Sequence, residues 1–279
     1  MPYQEILYDV EDPVAVITLN RPEALNAFTV RMLAELRHAI ARAEADRQVV
    51  GIVLTGAGRG FGAGMDMNAL SDMSKGDPQA QDLSALQASP GDATLGPNFS
   101  TAYSFMLSVR KPIIAAIHGP CAGLAFAIAL LCDLRFVTPA ARFTTAFAQR
   151  GLIAEHGTSW LLPRLVGTGV ALDLLWSGRK IDGQEAHALR LAERLIDAGS
   201  ATDAARDYIR QLAATSSPAS IRLMKAQVYR HLNMPLGESL IESNSWMDES
   251  LKQEDFKEGV ASFLERRPPA FARVKAEDS

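Results

Sequence analysis

The stretch Thr55-Gly-Ala-Gly-Arg-Gly-Phe-Gly-Ala-Gly-Met-Asp-Met67 narrows the possible folds of this chain more than any other. It follows the apolar run Val49-Val-Gly-Ile-Val-Leu54, which reads as a buried strand. Five glycines fall within the nine residues from Gly56 to Gly64, and Asp66 then opens a short helical pattern. Glycine lets a backbone turn sharply and approach a ligand closely. A helix start leaves N–H groups unpaired and ready for a negative oxygen. The combination predicts a site built from backbone donors rather than from side chains.

At 279 residues the chain is long enough to bury a large core, in one or two domains. Its 48% hydrophobic and 22% charged residues are those of an ordinary globular protein. A net charge of -4 argues against a general nucleic-acid binder. The two cysteines, Cys121 and Cys132, lie in apolar surroundings and read as free thiols of a reducing compartment. No apolar run reaches membrane-spanning length, and the first residues carry no leader pattern. The expectation is a cytoplasmic protein with no membrane or nucleic-acid partner.

The segments Ile6–Val10 and Val14–Leu19 read as strands, followed by a helix from Thr29 to about Asp46 and the strand Val49–Leu54. This order returns. A helix over Phe99–Val109 leads to the strand Ile113–Ile117, a second small-residue turn at Gly119-Pro-Cys-Ala-Gly123, the apolar helix Leu124–Cys132 and the strand Leu134–Val137. Arg142–Thr145 adds a short strand. Repeated strand–strand–helix units suggest a spiral α/β core. From Phe147 onward the pattern is mostly helical, with candidates at Gly157–Val166, Val170–Ser177, Thr202–Ala214, Ser217–His231, Leu236–Leu251 and Asp255–Arg266. Asp182 and Glu185 resemble a capping box. A boundary near Asp197–Ala201 divides a core, residues 1–200, from a helical region, residues 201–279. Ser74–Asn98, rich in Gly, Pro, Ser, Gln and Asp, reads either as disordered or as a lid over the glycine turn. The tail Ala270–Ser279 reads as frayed.

Neither turn fits a nucleotide site. No Gly-Lys-Ser/Thr ends either one, and Gly58-Arg-Gly60-Phe-Gly62 has the wrong spacing for a dinucleotide fingerprint. The ordered set of Leu19-Asn-Arg-Pro-Glu-Ala-Leu-Asn-Ala-Phe28, Gly60-Phe-Gly-Ala-Gly-Met-Asp66, Lys111-Pro-Ile-Ile-Ala-Ala-Ile-His-Gly119 and Cys132-Asp133 resembles the enoyl-CoA hydratase/isomerase (crotonase) superfamily. Gly178-Arg-Lys-Ile-Asp-Gly-Gln-Glu-Ala186 and Phe263-Leu-Glu-Arg-Arg-Pro-Pro-Ala-Phe271 match its later segments. The resemblance implies a crotonase-like ββα spiral core, a helical C-terminal trimerisation region and an acyl-CoA thioester ligand. Coenzyme A then belongs to the substrate, and no further cofactor is implied. The expected assembly is a homotrimer or a dimer of trimers.

The resemblance also implies that two backbone N–H groups, those of Ala63 and Leu124, hold the thioester oxygen. Removing a proton α to a thioester pushes charge onto that oxygen, and preorganised donors stabilise the resulting enolate more than the ground state. The implied thioester-binding set is Ala63, Gly64, Met65, Asp66, Met67, Gly123, Leu124, Phe147 and Trp160. Candidate CoA contacts are Arg21, Phe263 and Arg266, with Arg59, Lys252 and Arg267 as further cations. Each of these also reads as an ordinary solvated charge or packing residue.

The chain departs from the hydratase pattern at two positions. The two glutamates that hold water in familiar hydratases fall on Ala127 and Phe147, and neither side chain moves a proton. Glu155, in Gly151-Leu-Ile-Ala-Glu-His-Gly-Thr-Ser-Trp160, stands where some isomerases of the superfamily carry an acid, and it is the candidate proton shuttle. Its plain alternative is a cap on the following helix. His156 is expected to point elsewhere, because neighbours at a helix start diverge. His118 reads as structural, and His38, His187 and His231 as surface or boundary residues. Asp133 and Arg135 read as a structural pair. No His, Cys or acid cluster has metal spacing. The favoured activity is an enoyl-CoA double-bond shift. The alternatives are a hydratase with one carboxylate, a catalytically silent CoA-thioester binder, and a hydrolase using the same oxygen site.

Overall fold

The computed structural model describes residues 3–75 and 82–274. Strands β1 (Ile6–Glu11) and β2 (Val14–Leu19) precede helix α1 (Val30–Ala45), strand β3 (Gly51–Gly56) and helix α2 (Met67–Lys75). Strands β4 (Ile113–Ile117) and β5 (Pro120–Ala122), helix α3 (Leu124–Leu131), and strands β6 (Leu134–Val137) and β7 (Arg142–Thr144) follow. Helices α4 (Thr158–Val166) and α5 (Thr168–Ser177), strand β8 (Ile181–Asp182), helix α6 (Gly183–Ala188) and strand β9 (Arg194–Leu195) lead to four helices: α7 (Ala201–Thr215), α8 (Pro218–His231), α9 (Leu236–Ser250) and α10 (Glu254–Glu265).

One sheet runs in the order β1-β2-β3-β4-β6-β9, and a smaller one runs β5-β7-β8. From β2 through β9 the pairs of the large sheet are parallel. Such strands are covered on both faces and read as continuous apolar runs. Side chains alternate along each strand. Ile17, Ile52, Leu54, Ile113 and Ala115 therefore join the cluster that holds α1 and α3, whereas Val16, Val53, Ile114 and Phe136 face the other way. There they meet Ala201, Ala205 and Ile209 of α7. Helix α7 is thus the cover of the sheet's second face, and this packing crosses the boundary expected near Asp197–Ala201.

The local expectations differ from the structure in a few places, each with a physical cause. The helix expected over Phe99–Val109 is replaced by 3-10 turns at Pro97–Phe99 and Ser104–Ser108. Thr101 and Ser104 exchange backbone-to-hydroxyl hydrogen bonds of 3.2 Å, and such local bonds compete with helix. Residues 82–98 are built into the body, with Arg37 Nε donating to Ala88 O at 2.8 Å and Gly91 N to Glu44 Oε2 at 2.8 Å. They lie against α1; residues 76–81 of that segment, like 275–279, are outside the described residues. The Asp182 carboxylate caps α6 by accepting from Glu185 N at 2.8 Å. The Glu185 side chain pairs with Arg179 and leaves the box half closed.

Asp133 and Arg135 do not pair with each other. The Asp133 carboxylate accepts from Ile113 N (2.7 Å), Lys225 Nζ (2.7 Å) and Tyr229 Oη (3.0 Å), which ties α8 to the sheet. Arg135 pairs with Glu193 and donates to Leu191 O. They flank Leu134 in the same strand region and therefore serve two different neighbours. Cys121 and Cys132 are buried and free, and burial pushes the Cys132 thiol up to about 12. Helices α8–α10 leave large apolar side chains exposed, among them Leu236, Ile241, Phe263 and Leu264.

Candidate active site

The two glycine turns meet. The segment after β3 runs beside β5, with Phe61 N and Gly62 N both donating to Pro120 O and Ala122 N donating to Gly62 O. Asn26, fully buried, ties the same turn to the loop before α1 by donating to Ala57 O (2.9 Å) and Gly60 O (2.8 Å). At the far end Gly64 has φ +100 and Gly123 has φ +53. A methyl group on Gly64 would stand 3.1 Å from Ala122 O and 3.7 Å from Leu124 N, so only glycine keeps this space open.

Helix α3 begins at Leu124 with no side chain capping it. Its N-cap, Gly123, uses its own N–H on Thr144 O at 3.1 Å. Among the described residues the Leu124 N–H has no partner, and the helix dipole adds positive potential there. Every residue of α3 is buried, Ala127 included.

The second donor is not the one expected. The Ala63 N–H donates to Leu25 O at 3.0 Å and is unavailable to a ligand. Phe28 N donates to Gly64 O (2.8 Å), and Asp66 N donates to Phe28 O (2.9 Å). In this parallel bridge between Phe28 and Met65, the Met65 N–H must point to the opposite edge. Among the described residues it too has no partner. Leu25 and Asn26 have φ values of +51 and +57, and this left-handed pair carries Leu25 O to Ala63. An asparagine before a small residue is a turn signal. Which N–H it silences is invisible in one dimension.

Asp66 caps α2 through Asn68 N (2.9 Å) and pairs with Arg21 Nη1 at 3.0 Å. Burial disfavours its charge, but the Arg21 guanidinium and the N–H groups of Asn68 and Ala69 outweigh this and hold the carboxyl below the usual aspartate range. Arg21 also donates to Ala27 O, so it braces the turn. Met65 packs on the core, while Met67 is exposed. Phe263 and Arg266 end α10, and among the described residues no hydrogen bond or ion pair joins them to the turn. Lys252 pairs with Glu249, and Arg267 with Glu258 and Glu265.

Glu155 does not cap α4. The N-cap there is Gly157, with no side-chain bond, and Glu155 contributes only its carbonyl, to Thr158 N at 2.8 Å. Its carboxylate instead lies 3.1 Å from His156 Nε2. The expected divergence of these neighbours fails because His156 adopts φ +53. Tyr103, which was not singled out from sequence, meets the imidazole edge-on at 4.5 Å. Phe147 is buried, and Trp160 packs on the core under the Arg164 guanidinium at 3.9 Å. Beside Tyr103 a cleft of about 230 Å³ is lined by Leu33, Leu36, Phe105, Met106 and Ile128. Ile128 is four residues along α3 from Leu124, so the cleft shares a helix face with the uncapped start. His118 Nε2 bonds Gly58 O at 3.0 Å, a structural role. Tyr3, Ala192 and Glu242 likewise engage His38, His187 and His231. Among the described residues no three His, Cys, Asp or Glu side chains gather to hold a metal, and no helix is long and apolar enough to cross a membrane.

This architecture has known counterparts. The enoyl-CoA hydratase/isomerase family model matches residues 9–274. The chain is 32% identical over 270 residues to the 1,2-epoxyphenylacetyl-CoA isomerase of Escherichia coli K12, covering 95% of this chain and 97% of that protein. It is 32% identical over 267 residues to the (E)-benzylidenesuccinyl-CoA hydratase of Thauera aromatica, covering 95% and 98%. The solved structure of an enoyl-CoA hydratase subunit from Geobacillus kaustophilus HTA426 superposes with a TM-score of 0.83 at 30% identity, over 98% of this chain and all of that one. The chain belongs to the enoyl-CoA hydratase/isomerase family and has the crotonase fold.

The Asp66 carboxyl yields a testable pH dependence. Its folded pKa is depressed, so its charge contributes stability that is complete above the unfolded value of about 3.9 and is lost as the pH falls through the folded value. Asp66→Asn is expected to lower the urea midpoint at pH 7, with the deficit shrinking below about pH 3.9. A deficit independent of pH would show that the charge is not what holds the turn.

Proposed function

We infer that this enzyme shifts a double bond in an enoyl-CoA through an enolate. The observation that supports it best is the pair of unpartnered backbone donors, Met65 N–H and Leu124 N–H, on two turns in contact, with the half-exposed Glu155 carboxylate just before the start of α4. The thioester oxygen takes both N–H groups. As the α-proton leaves, charge moves to that oxygen, where fixed donors are most effective. Glu155 takes the proton from the α-carbon and returns it at the γ-carbon, which moves the double bond into conjugation. No electrons enter or leave, so no cofactor besides the substrate's own coenzyme A takes part.

Ala127 and Phe147, at the positions of the hydratase glutamates by resemblance, are buried and apolar. They disfavour a water held by two carboxylates and suit an acyl group kept dry. A hydratase working with Glu155 alone is the second reading, favoured by the hydratase named among the relatives. The protein then works in the soluble cytoplasm on an acyl-CoA. The exposed Leu236, Ile241, Phe263 and Leu264 suit burial against further copies of the chain, in a trimer or a dimer of trimers.

Three measurements test these assignments. Met65→Pro removes the N–H whereas Met65→Leu keeps it, and the first alone is expected to lose about 10²–10³-fold in turnover. Equal activity of the two would remove Met65 as a donor. Glu155→Gln is expected to bind acyl-CoA and stop α-proton exchange in deuterated water; exchange that persists would exclude Glu155 as the base. The mass in solution is expected to correspond to three or six chains, and a single-chain mass at micromolar concentration would overturn the assembly.

A further inference from the structure

Glu155 does not act from an isolated position. The Glu155 Oε2 to His156 Nε2 distance is 3.1 Å, and the two side chains are 29% and 32% exposed, open enough for substrate and solvent to reach them. The arrangement is built by the backbone. His156 at φ +53 and Gly157 at φ +81 form a left-handed pair that folds the imidazole back toward the preceding residue. A side chain seldom adopts that region without surroundings that hold it there. Here the holding contact is Tyr103, whose ring meets the imidazole edge-on with centroids 4.5 Å apart and planes at 69°. Burial, and after it the nearby Glu155 charge, raises the Tyr103 hydroxyl above its ordinary value, so Tyr103 serves as a neutral wall. Among the described residues, the titratable groups in contact with His156 are Glu155 on its own loop and Tyr103 on the segment before Ser104–Ser108.

This inference rests on Glu155 being the acid/base. We propose that His156 is a positioning residue for Glu155. Its Nε2–H donates to Oε2, fixing the carboxylate rotamer and leaving Oε1 to face the acyl group. The proton balance is closed. The α-proton passes to Oε1 and returns from Oε1 to the γ-carbon, while the Nε2 proton stays on the imidazole. His156 therefore holds in place the base of a reaction whose proton it never carries. The position of the imidazole follows from the left-handed bend and the Tyr103 contact.

The test is α-proton exchange of 3-hexenoyl-CoA in deuterated water, measured on the full chain against substrate concentration, so that the plateau rate and KM are read separately. His156→Gln presents an amide N–H of similar reach, and is expected to keep most of the plateau rate with KM unchanged. His156→Leu leaves the carboxylate unheld and is expected to lose about 10²-fold at the plateau, the scale of a small misplacement of a reacting group, with its unfolding midpoint unchanged. A loss in His156→Gln as large as that in His156→Leu, or a wild-type plateau in His156→Leu, would overturn the proposal. Neither result touches the assignment of Glu155, whose own failure would show as exchange surviving Glu155→Gln.

Discussion

The contact between two main-chain bends, Gly64-Met65 and Gly123-Leu124, is the constraint on which the rest of this structure depends. The bends belong to segments far apart in sequence: the first lies between β3 and α2, and the second between β5 and α3. Backbone hydrogen bonds between residues 61–62 and 120–122 fix their separation. Once that separation is fixed, two main-chain N–H groups without partners among the described residues, those of Met65 and Leu124, are held on adjoining bends. Preorganisation of this kind needs a rigid frame, because a donor that must rearrange contributes less when charge develops.

The frame is supplied by the large sheet and its two covers. Helix α3 is apolar on all sides and fully buried, so it has no freedom to withdraw its N-terminus from the turn. Asp133 then binds β4 and α8 at once, and Arg135 binds the chain around Leu191 and Glu193. Asp133 lies just before β6 and Arg135 within it. Loss of one partner would leave a largely buried charge uncompensated, a cost well above that of a surface pair. Their work is done at a distance from the ligand, in keeping the two bends in register.

Much of this was legible before the fold was known. Apolar runs located the buried strands, and glycine spacing located both bends. What failed did so for identifiable reasons. Ala63 was a reasonable donor from motif position, yet the left-handed turn at Leu25-Asn26 delivers a carbonyl to it, and the free N–H passes to Met65. Asp133 and Arg135 were paired by proximity in sequence, while a strand sends them to different neighbours. Thr101 and Ser104 bond their own backbone and prevent the helix that the surrounding apolar residues suggested. In each case a specific hydrogen bond or ion pair overrode the reading from local pattern.

The boundary between the two kinds of information is therefore physical. Composition and periodicity alone determined a core of buried strands, two glycine-rich bends and an apolar helix after the second, and the resemblance to the family marked Ala127 and Phe147 as lacking its carboxylates. These are properties of residues and of their immediate spacing. Only the tertiary structure decided which amides remain unpaired, that Glu155 turns to His156 instead of capping α4, and that Tyr103 closes on the imidazole. Those outcomes depend on which hydrogen-bond partners three-dimensional packing brings within reach, and a linear pattern carries no record of that competition.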